Sequence, residues 1–132
     1  MRSRSRRQRE EGTSAIELVL YMPLLMVAII LTIQFALVYL GNQAVSAAAR
    51  EASRTARITG DTKAGEQRGT EYADNIGRGL LANVNVDVNL INGGNDVFAV
   101  VSADGEQLLP FIDAPRLTEE VQGPVEQFIE DN

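Results

Sequence analysis

Ser14 and Glu17 are the two side chains whose types and spacing suggest chemistry in this sequence. A serine followed three positions later by a glutamate fits a capping box, in which each side chain accepts a hydrogen bond from a backbone N–H at a helix start. A carboxylate in the first helical turn also interacts favourably with the helix dipole, by about 0.3 to 1 kcal/mol at exposed sites. This pair alone therefore predicts that a helix begins at Ser14.

The composition offers little else for catalysis. The 132 residues include no His, no Cys and no Trp, and 12 Lys or Arg against 18 Asp or Glu give a net charge of −6. Without His and Cys there is no disulfide, no thiolate or imidazole metal site and no triad with a histidine base. We therefore expect a protein that is not an enzyme and has no catalytic residue and no cofactor.

One group of polar residues superficially resembles a calcium-binding loop. Asp87, Asn89, Asn92 and Gly93 follow one another at short intervals. The EF-hand spacing, however, requires an oxygen ligand at the position that Ile91 occupies. We therefore predict no metal site.

A basic leader and a long apolar segment flank the Ser14 and Glu17 pair. Residues 1–12 contain five arginines against two glutamates, a net charge of +3, and should be disordered because they cannot contribute to a core. Residues 18–40 carry no charge over 23 positions. At about 1.5 Å per residue this helix is roughly 35 Å long, enough to cross a bilayer core of roughly 30 Å. The segment is therefore predicted to span a membrane once.

Features at the ends of the apolar segment bear on its orientation and shape. Tyr21 and Tyr39 lie near the two ends, where aromatic rings settle among lipid headgroups. Pro23 is expected to kink the helix, because proline lacks a backbone N–H and clashes with the preceding turn. Five arginines precede the segment and three follow it within about 20 residues. The positive-inside rule therefore places the N-terminus in the cytoplasm and the rest of the chain beyond the membrane.

The helical pattern continues beyond the membrane over residues 42–58. Alanines recur there at every fourth position, at 44, 48, 52 and 56, with Val45 and Ala49 alongside, whereas Arg50, Arg54 and Arg57 share the other face. Such a stripe permits close helix approach. We expect it to pack on the chain's own domain, with another subunit as the alternative. Gly60 and Asp61 should end this helix.

A second helix is predicted over residues 63–81. Tyr72, Ile76 and Leu80 form an apolar stripe at helical spacing. Each glycine costs a helix up to about 1 kcal/mol relative to alanine, so this helix needs support from the rest of the fold. The glycines are Gly65, Gly69, Gly77 and Gly79.

Three strands are predicted after this helix. Residues 84–90 alternate apolar and polar side chains, which is typical of a strand buried on one face. Residues 92–95, Asn-Gly-Gly-Asn, indicate a hairpin turn into a strand at 97–102, and residues 104–105 indicate another turn. Residues 107–112 would form a third strand, which Pro110 confines to an edge. Pro124 begins either a short helix that includes Val125, Phe128 and Ile129 or a frayed acidic end.

The residues around Glu17 also resemble a known family, the TadE-like minor pilins or pseudopilins of the Flp (tight adherence, Tad) branch of type IV pili. The resemblance is carried by Gly12, by Glu17 as the fifth residue after it, by the apolar stretch with Pro23, and by residues 47–54, Ala-Ala-Ala-Arg-Glu-Ala-Ser-Arg. It implies that a prepilin peptidase cuts between Gly12 and Thr13 and that Glu17 acts in pilus assembly. The implied partners are membrane lipid, the peptidase, other pilins and the inner-membrane assembly platform.

Other functions compete with a role in pili: a secreted protein and a membrane-anchored enzyme, of which the enzyme is not expected because no nucleophile, base and orienting group occur at a recognisable spacing. Residues 45–47 and 47–49 fit the small-x-small rule for signal peptidase, which would release a secreted protein, although the apolar segment is longer than the roughly 7 to 15 residues of a signal sequence. Nucleic-acid binding by the leader is not expected, because no aromatic residue is interleaved with its arginines.

The predicted fold class is α+β, in which a long N-terminal transmembrane helix extends into a small extracytoplasmic domain of one further helix and a short antiparallel sheet. The predicted segments are a leader (1–12), a transmembrane helix (13–41), a helix extension and turn (42–62), an α+β domain (63–112) and an acidic tail (113–132).

Overall fold

A computed structural model describes residues 4–127 of the chain, with side chains from Ser14 onward. It contains two helices, α1 (Arg4–Thr59) and α2 (Thr62–Ile76), followed by three strands, β1 (Leu81–Ile91), β2 (Asp96–Gly105) and β3 (Arg116–Pro124). The α+β class is therefore confirmed. The chain divides into two compact units, and the boundary falls between Phe35 and Ala36 in the sequence of α1.

Helix α1 begins earlier than the capping pattern predicts. It starts at Arg4, so Ser14 lies inside the helix and not at its N-cap. The capping-box interpretation is therefore wrong for the uncut chain, and the expectation of disorder is wrong for residues 4–12, whereas residues 1–3 lie outside the described residues. The physical reason is that Arg, Gln and Glu are good helix formers, and extending an existing helix adds one hydrogen bond per residue. The helix also continues through Pro23, where the kink stays a prediction.

In the second unit, the alanine stripe of α1 packs against α2. Ala48, Ala52 and Ala56 are fully buried. A Cβ atom added to Gly65 would lie 2.8 Å from the backbone oxygen of Ala52, and one added to Gly69 would lie 2.7 Å from the Ala52 Cβ. The two backbones therefore approach as closely as glycine and alanine allow, which confirms packing on the chain's own domain.

Helix α2 has defined ends. Gly60 takes a positive φ of 67° after α1, and the Asp61 carboxylate accepts a hydrogen bond of 2.9 Å from the Lys63 N–H as the N-cap. The predicted extension to residue 81 is wrong, because Gly77 caps the helix and Gly79 adopts a φ of 77°. Leu81 then opens β1 instead of ending the helix.

The three strands form an antiparallel sheet in the order β1-β2-β3. In β2 every second residue is buried, and Val88 of β1 lies opposite Ala99. The turn predicted at residues 92–95 is confirmed as a short 3-10 turn (Asn92–Gly94), in which Asn92 and Gly93 have positive φ. The first hairpin therefore follows the prediction closely.

The third strand does not follow the prediction. Residues 107–112 lie in the loop between β2 and β3, and the strand forms instead over Arg116–Pro124. The turn predicted at residues 104–105 is also wrong, because both residues belong to β2 and Asp104 pairs with Arg116. Pro124 ends β3 and opens no helix, whereas Phe128 and Ile129 lie outside the described residues.

The core of the second unit consists of small side chains between α1, α2 and the sheet. One cluster contains Val45, Val101 and Leu117, and a second contains Val88 and Val97. The remaining members are mostly alanines. This core is therefore filled by small side chains between closely spaced backbones and not by bulky side chains.

Candidate membrane and assembly surface

The first unit presents apolar side chains without any cover from the described chain. Val19 is 70% exposed, and the apolar window of the helix Ser14–Thr59, with a mean hydropathy of 2.4, has none of its residues buried. Apart from its two tyrosines, the uncharged segment contains one hydroxyl group, that of Thr32. This hydroxyl donates a hydrogen bond of 2.8 Å to the Ala28 carbonyl, so it is satisfied within the helix. This surface suits a lipid environment, and the helix is a candidate membrane span.

Glu17 interrupts the apolar surface near its N-terminal end. It is exposed and lies between Ile16 and Leu18, which are 66% and 63% exposed. Glu17 is the one charged residue from Ser14 to Leu40. Its carboxylate is therefore available to a cation supplied from the chain's own N-terminus or from another molecule.

Gly12 and Thr13 precede Glu17 in the same helical backbone. Thr13 stands four residues before Glu17, so the two positions lie on one face of α1, one turn apart. The structure thus brings the residues of the predicted junction onto one continuous helix.

Gly41 marks the point where the uncharged segment gives way to the domain. A Cβ atom at Gly41 would lie 3.0 Å from Leu117 Cδ1 and 3.4 Å from Leu81 Cδ2. The start of β1 and the start of β3 therefore contact α1 one residue after Leu40. Sequence reasoning missed this role, because a single glycine after an apolar run gives no sign of what packs upon it.

An ion-pair network joins the two helices beside their contact. Arg68 Nε donates to Glu51 at 3.2 Å, and Arg68 Nη1 donates to Glu71 at 3.3 Å. The hydrogen bond to Glu51, followed by that to Glu71, raises the pKa of the Arg68 guanidinium. The guanidinium also lies 6.0 Å from the centre of the Tyr72 ring. The pair of Arg68 with Glu51 therefore links α2 to α1, whereas Glu71 and Tyr72 contact Arg68 within α2.

Arg57 closes the opposite end of the domain from Gly41. Its Nε donates to the Pro124 carbonyl at 2.7 Å, and its own carbonyl accepts a bond of 3.1 Å from the Glu126 N–H. From the sequence alone, Arg57 counts only as one of the positive charges that follow the apolar segment. The structure gives it a second role, because it fastens the end of β3 to α1.

Asp104 holds the base of the loop that joins β2 to β3. Asn83 donates to Asp104 Oδ2 at 2.8 Å and Arg116 donates to Oδ1 at 2.9 Å. The hydrogen bond from Asn83, followed by that from Arg116, lowers the pKa of the Asp104 carboxyl below its usual value. The loop therefore leaves the sheet from a fixed base.

The acidic side chains of α2 do not form a metal centre. Glu66 Oε1 accepts a hydrogen bond of 3.3 Å from the Val88 N–H, so that it covers a backbone donor of the edge strand β1. Between residues 14 and 127, no three His, Cys, Asp or Glu side chains are grouped as a metal site would require.

These features define a class of protein: one exposed apolar helix that continues into a small α+β domain built on its C-terminal part. The family model of TadE-like proteins matches residues 12–54, from Gly12 to Arg54, which is about a third of the chain, and it is the family that the sequence resembles. Neither a curated protein nor a solved structure matches the chain. The family match points to a Tad pilus-associated protein that works with other pilus components, and the apolar helix is its candidate membrane anchor.

Proposed function

We propose that the chain is a minor pilin or pseudopilin that a prepilin peptidase cuts between Gly12 and Thr13, and that then acts in assembly of an Flp/Tad-type pilus. The observation that carries this proposal is the family match, which begins at Gly12 and runs directly into the exposed apolar helix. The proposed partners are membrane lipid, the peptidase, other pilins and proteins of the inner-membrane assembly platform.

The proposed cut creates a new cation close to Glu17. Cleavage leaves an ammonium group on Thr13, one helical turn before Glu17. A carboxylate at the centre of a bilayer costs about 2.5 to 3.5 kcal/mol on insertion scales, so a Glu17 that moves deeper into the membrane during subunit assembly gains from a pair with an ammonium. The ammonium belongs either to the same chain or to a neighbouring subunit, and in the second case the pair links two pilins.

The proposed location is the cytoplasmic membrane of a bacterial cell envelope. Five arginines before the uncharged segment, against three shortly after it, favour an N-terminus in the cytoplasm. The domain that begins at Gly41 is then extracytoplasmic. We also propose that the chain is not an enzyme and binds no nucleic acid, because it lacks His and Cys and its leader lacks aromatic residues.

Processing can be tested with a matched pair of leader variants in a host that makes the pilus. Gly12→Leu places a bulky side chain at the proposed cut and should leave the chain at its full length. Ser5→Leu adds the same side chain elsewhere in the leader and should be cut normally. The intact mass of the membrane-bound protein distinguishes the two. Normal cleavage of Gly12→Leu would contradict the proposed site.

A further inference from the structure

The loop between β2 and β3 carries an exposed apolar tip. Residues 108–112, Leu-Leu-Pro-Phe-Ile, form this tip. Phe111 is 94% exposed, Ile112 is 53% exposed and Leu108 is 43% exposed. A soluble domain rarely presents large apolar side chains side by side at a loop end, so the tip indicates a contact surface.

Hydrogen bonds within the loop order this tip. The Gln107 side-chain amide donates to the carbonyls of Leu109, at 3.0 Å, and of Ile112. The Ile112 N–H donates to the Leu109 carbonyl at 3.3 Å, and Pro110 has no N–H to satisfy. These bonds satisfy the carbonyls of Leu109 and Ile112 and the N–H of Ile112 within the loop, which lowers the cost of moving these groups out of water.

The loop leaves the domain at the end where the uncharged segment of α1 stops. The Gly105 N–H donates to the Pro115 carbonyl at 2.8 Å and closes the loop at its base. Leu117, two residues further on, contacts Gly41, which directly follows Leu40. The base of the loop therefore lies at the end of the domain that carries Gly41, directly after the last residue of the predicted span.

We infer that residues 108–112 insert into the headgroup region of the same bilayer that α1 spans, on the face from which the domain emerges. Residues 59–132 contain 14 acidic and four basic side chains, so attraction to anionic lipid does not drive this contact. The apolar side chains drive it, and the flanking Glu106 and Asp113 keep the loop at the depth of the headgroups. The inference rests on the membrane span and not on a role in pili.

The absence of Trp from the chain allows a direct test. Phe111→Trp gives a protein with a single tryptophan at the tip. Leu90→Trp is the matched control: Leu90 is 44% exposed and lies nine residues along β1 from Leu81, about 30 Å toward the other end of the sheet. Each full-length protein is reconstituted into phosphatidylcholine vesicles with bromine on the acyl chains.

We expect brominated lipid to quench the fluorescence of the Phe111→Trp protein several-fold more strongly than that of the Leu90→Trp protein, and aqueous iodide to quench it less. Equal access of iodide to the tryptophans of both proteins would overturn the inference. Protection of the tip from iodide without quenching by lipid would show a protein contact there and would also overturn it. Ile112→Trp repeats the test at a second tip position, so that the result does not depend on the folding of one variant.

Discussion

The two parts of α1 bury their side chains in opposite ways. Before Ala36 the helix carries large apolar residues such as Leu20 and Leu24, which are 69% and 66% exposed. Beyond Gly41 it carries alanines that are fully buried against α2 and the sheet. A helix in lipid gains from large apolar side chains, whereas a helix in a thin domain gains from small ones that let backbones approach. Side-chain size, and not helix propensity, separates the two roles.

The largest effect on pilus assembly is expected from Glu17, the one charged residue between Ser14 and Leu40. Glu17→Ala should leave the protein cut and bound to the membrane but abolish or severely reduce pilus assembly, because the proposed partner of the Thr13 amine is removed. Piliation scored by electron microscopy and membrane fractionation measure both properties.

Glu11→Ala is the matched control for Glu17→Ala. It removes the same side chain from the leader, which the proposed cut discards, and should leave piliation normal. Normal piliation in the Glu17 variant would remove Glu17 from the assembly mechanism.

The next largest effect is expected on the stability of the domain, when the contact between α1 and α2 is overpacked. A Cβ atom at Gly69 would lie 2.7 Å from the Ala52 Cβ and 3.0 Å from Val86 Cγ1, so Gly69→Val forces the two helices apart. Overpacking of this kind typically costs about 1 to 3 kcal/mol, and occasionally more. Thermal unfolding of the full chain in detergent, followed by circular dichroism, measures the loss. Gln67→Val, on the exposed face of α2, should stay within about 0.5 kcal/mol of the parent.

The same substitution in the two parts of α1 tests the comparison itself. Ala52→Leu enlarges a fully buried residue and should destabilise the domain by about 1 to 3 kcal/mol. Ala28→Leu enlarges an exposed residue of the uncharged segment and should leave domain unfolding unchanged. Equal destabilisation by both would show that the first unit is also packed against protein.

The smallest effect is expected for the pH dependence of stability that Asp104 contributes at the base of the loop between β2 and β3. Because hydrogen bonds lower the pKa of Asp104, its contribution to stability is present above the pKa of the unfolded chain and is lost as the pH falls through the lower, folded value. Asp104→Asn should therefore be less stable than the parent at neutral pH, and the difference should shrink from about pH 4 downward. Asp74→Asn, an exposed change on α2, gives the baseline for removing one negative charge. A difference that is constant with pH would contradict this origin.

Several parts of the fold were predictable because their signals are local. The uncharged run of residues 18–40, the alanine stripe and the alternation before the Asn-Gly-Gly-Asn turn each follow from the spacing of neighbouring residues. The structure confirms the stripe and the first hairpin. The α+β class follows from these elements together.

The position of β3 was not predictable in this way. Residues 107–112 are more apolar than residues 116–124, yet the strand forms over the latter, where Arg116 binds Asp104 and Leu117 enters the core. These contacts join residues that are distant in sequence, so no local sequence pattern predicts them.

Gly65 and Gly69 look like weaknesses of the second helix in the sequence, although they are its contact with α1. A comparison of their four-residue spacing with that of the facing alanines could have found this contact. At the candidate site, by contrast, the order of Gly12, Thr13 and Glu17 was readable directly, because the motif is contiguous.

The most direct test of the central claim is the N-terminal residue of the unmodified protein recovered from membranes of the native host. Cleavage by a prepilin peptidase predicts Thr13 as the first residue and an intact mass that lacks residues 1–12. A chain that begins near residue 48 or 50, as signal peptidase would leave it, would contradict the account, and so would a chain that retains its leader in piliated cells.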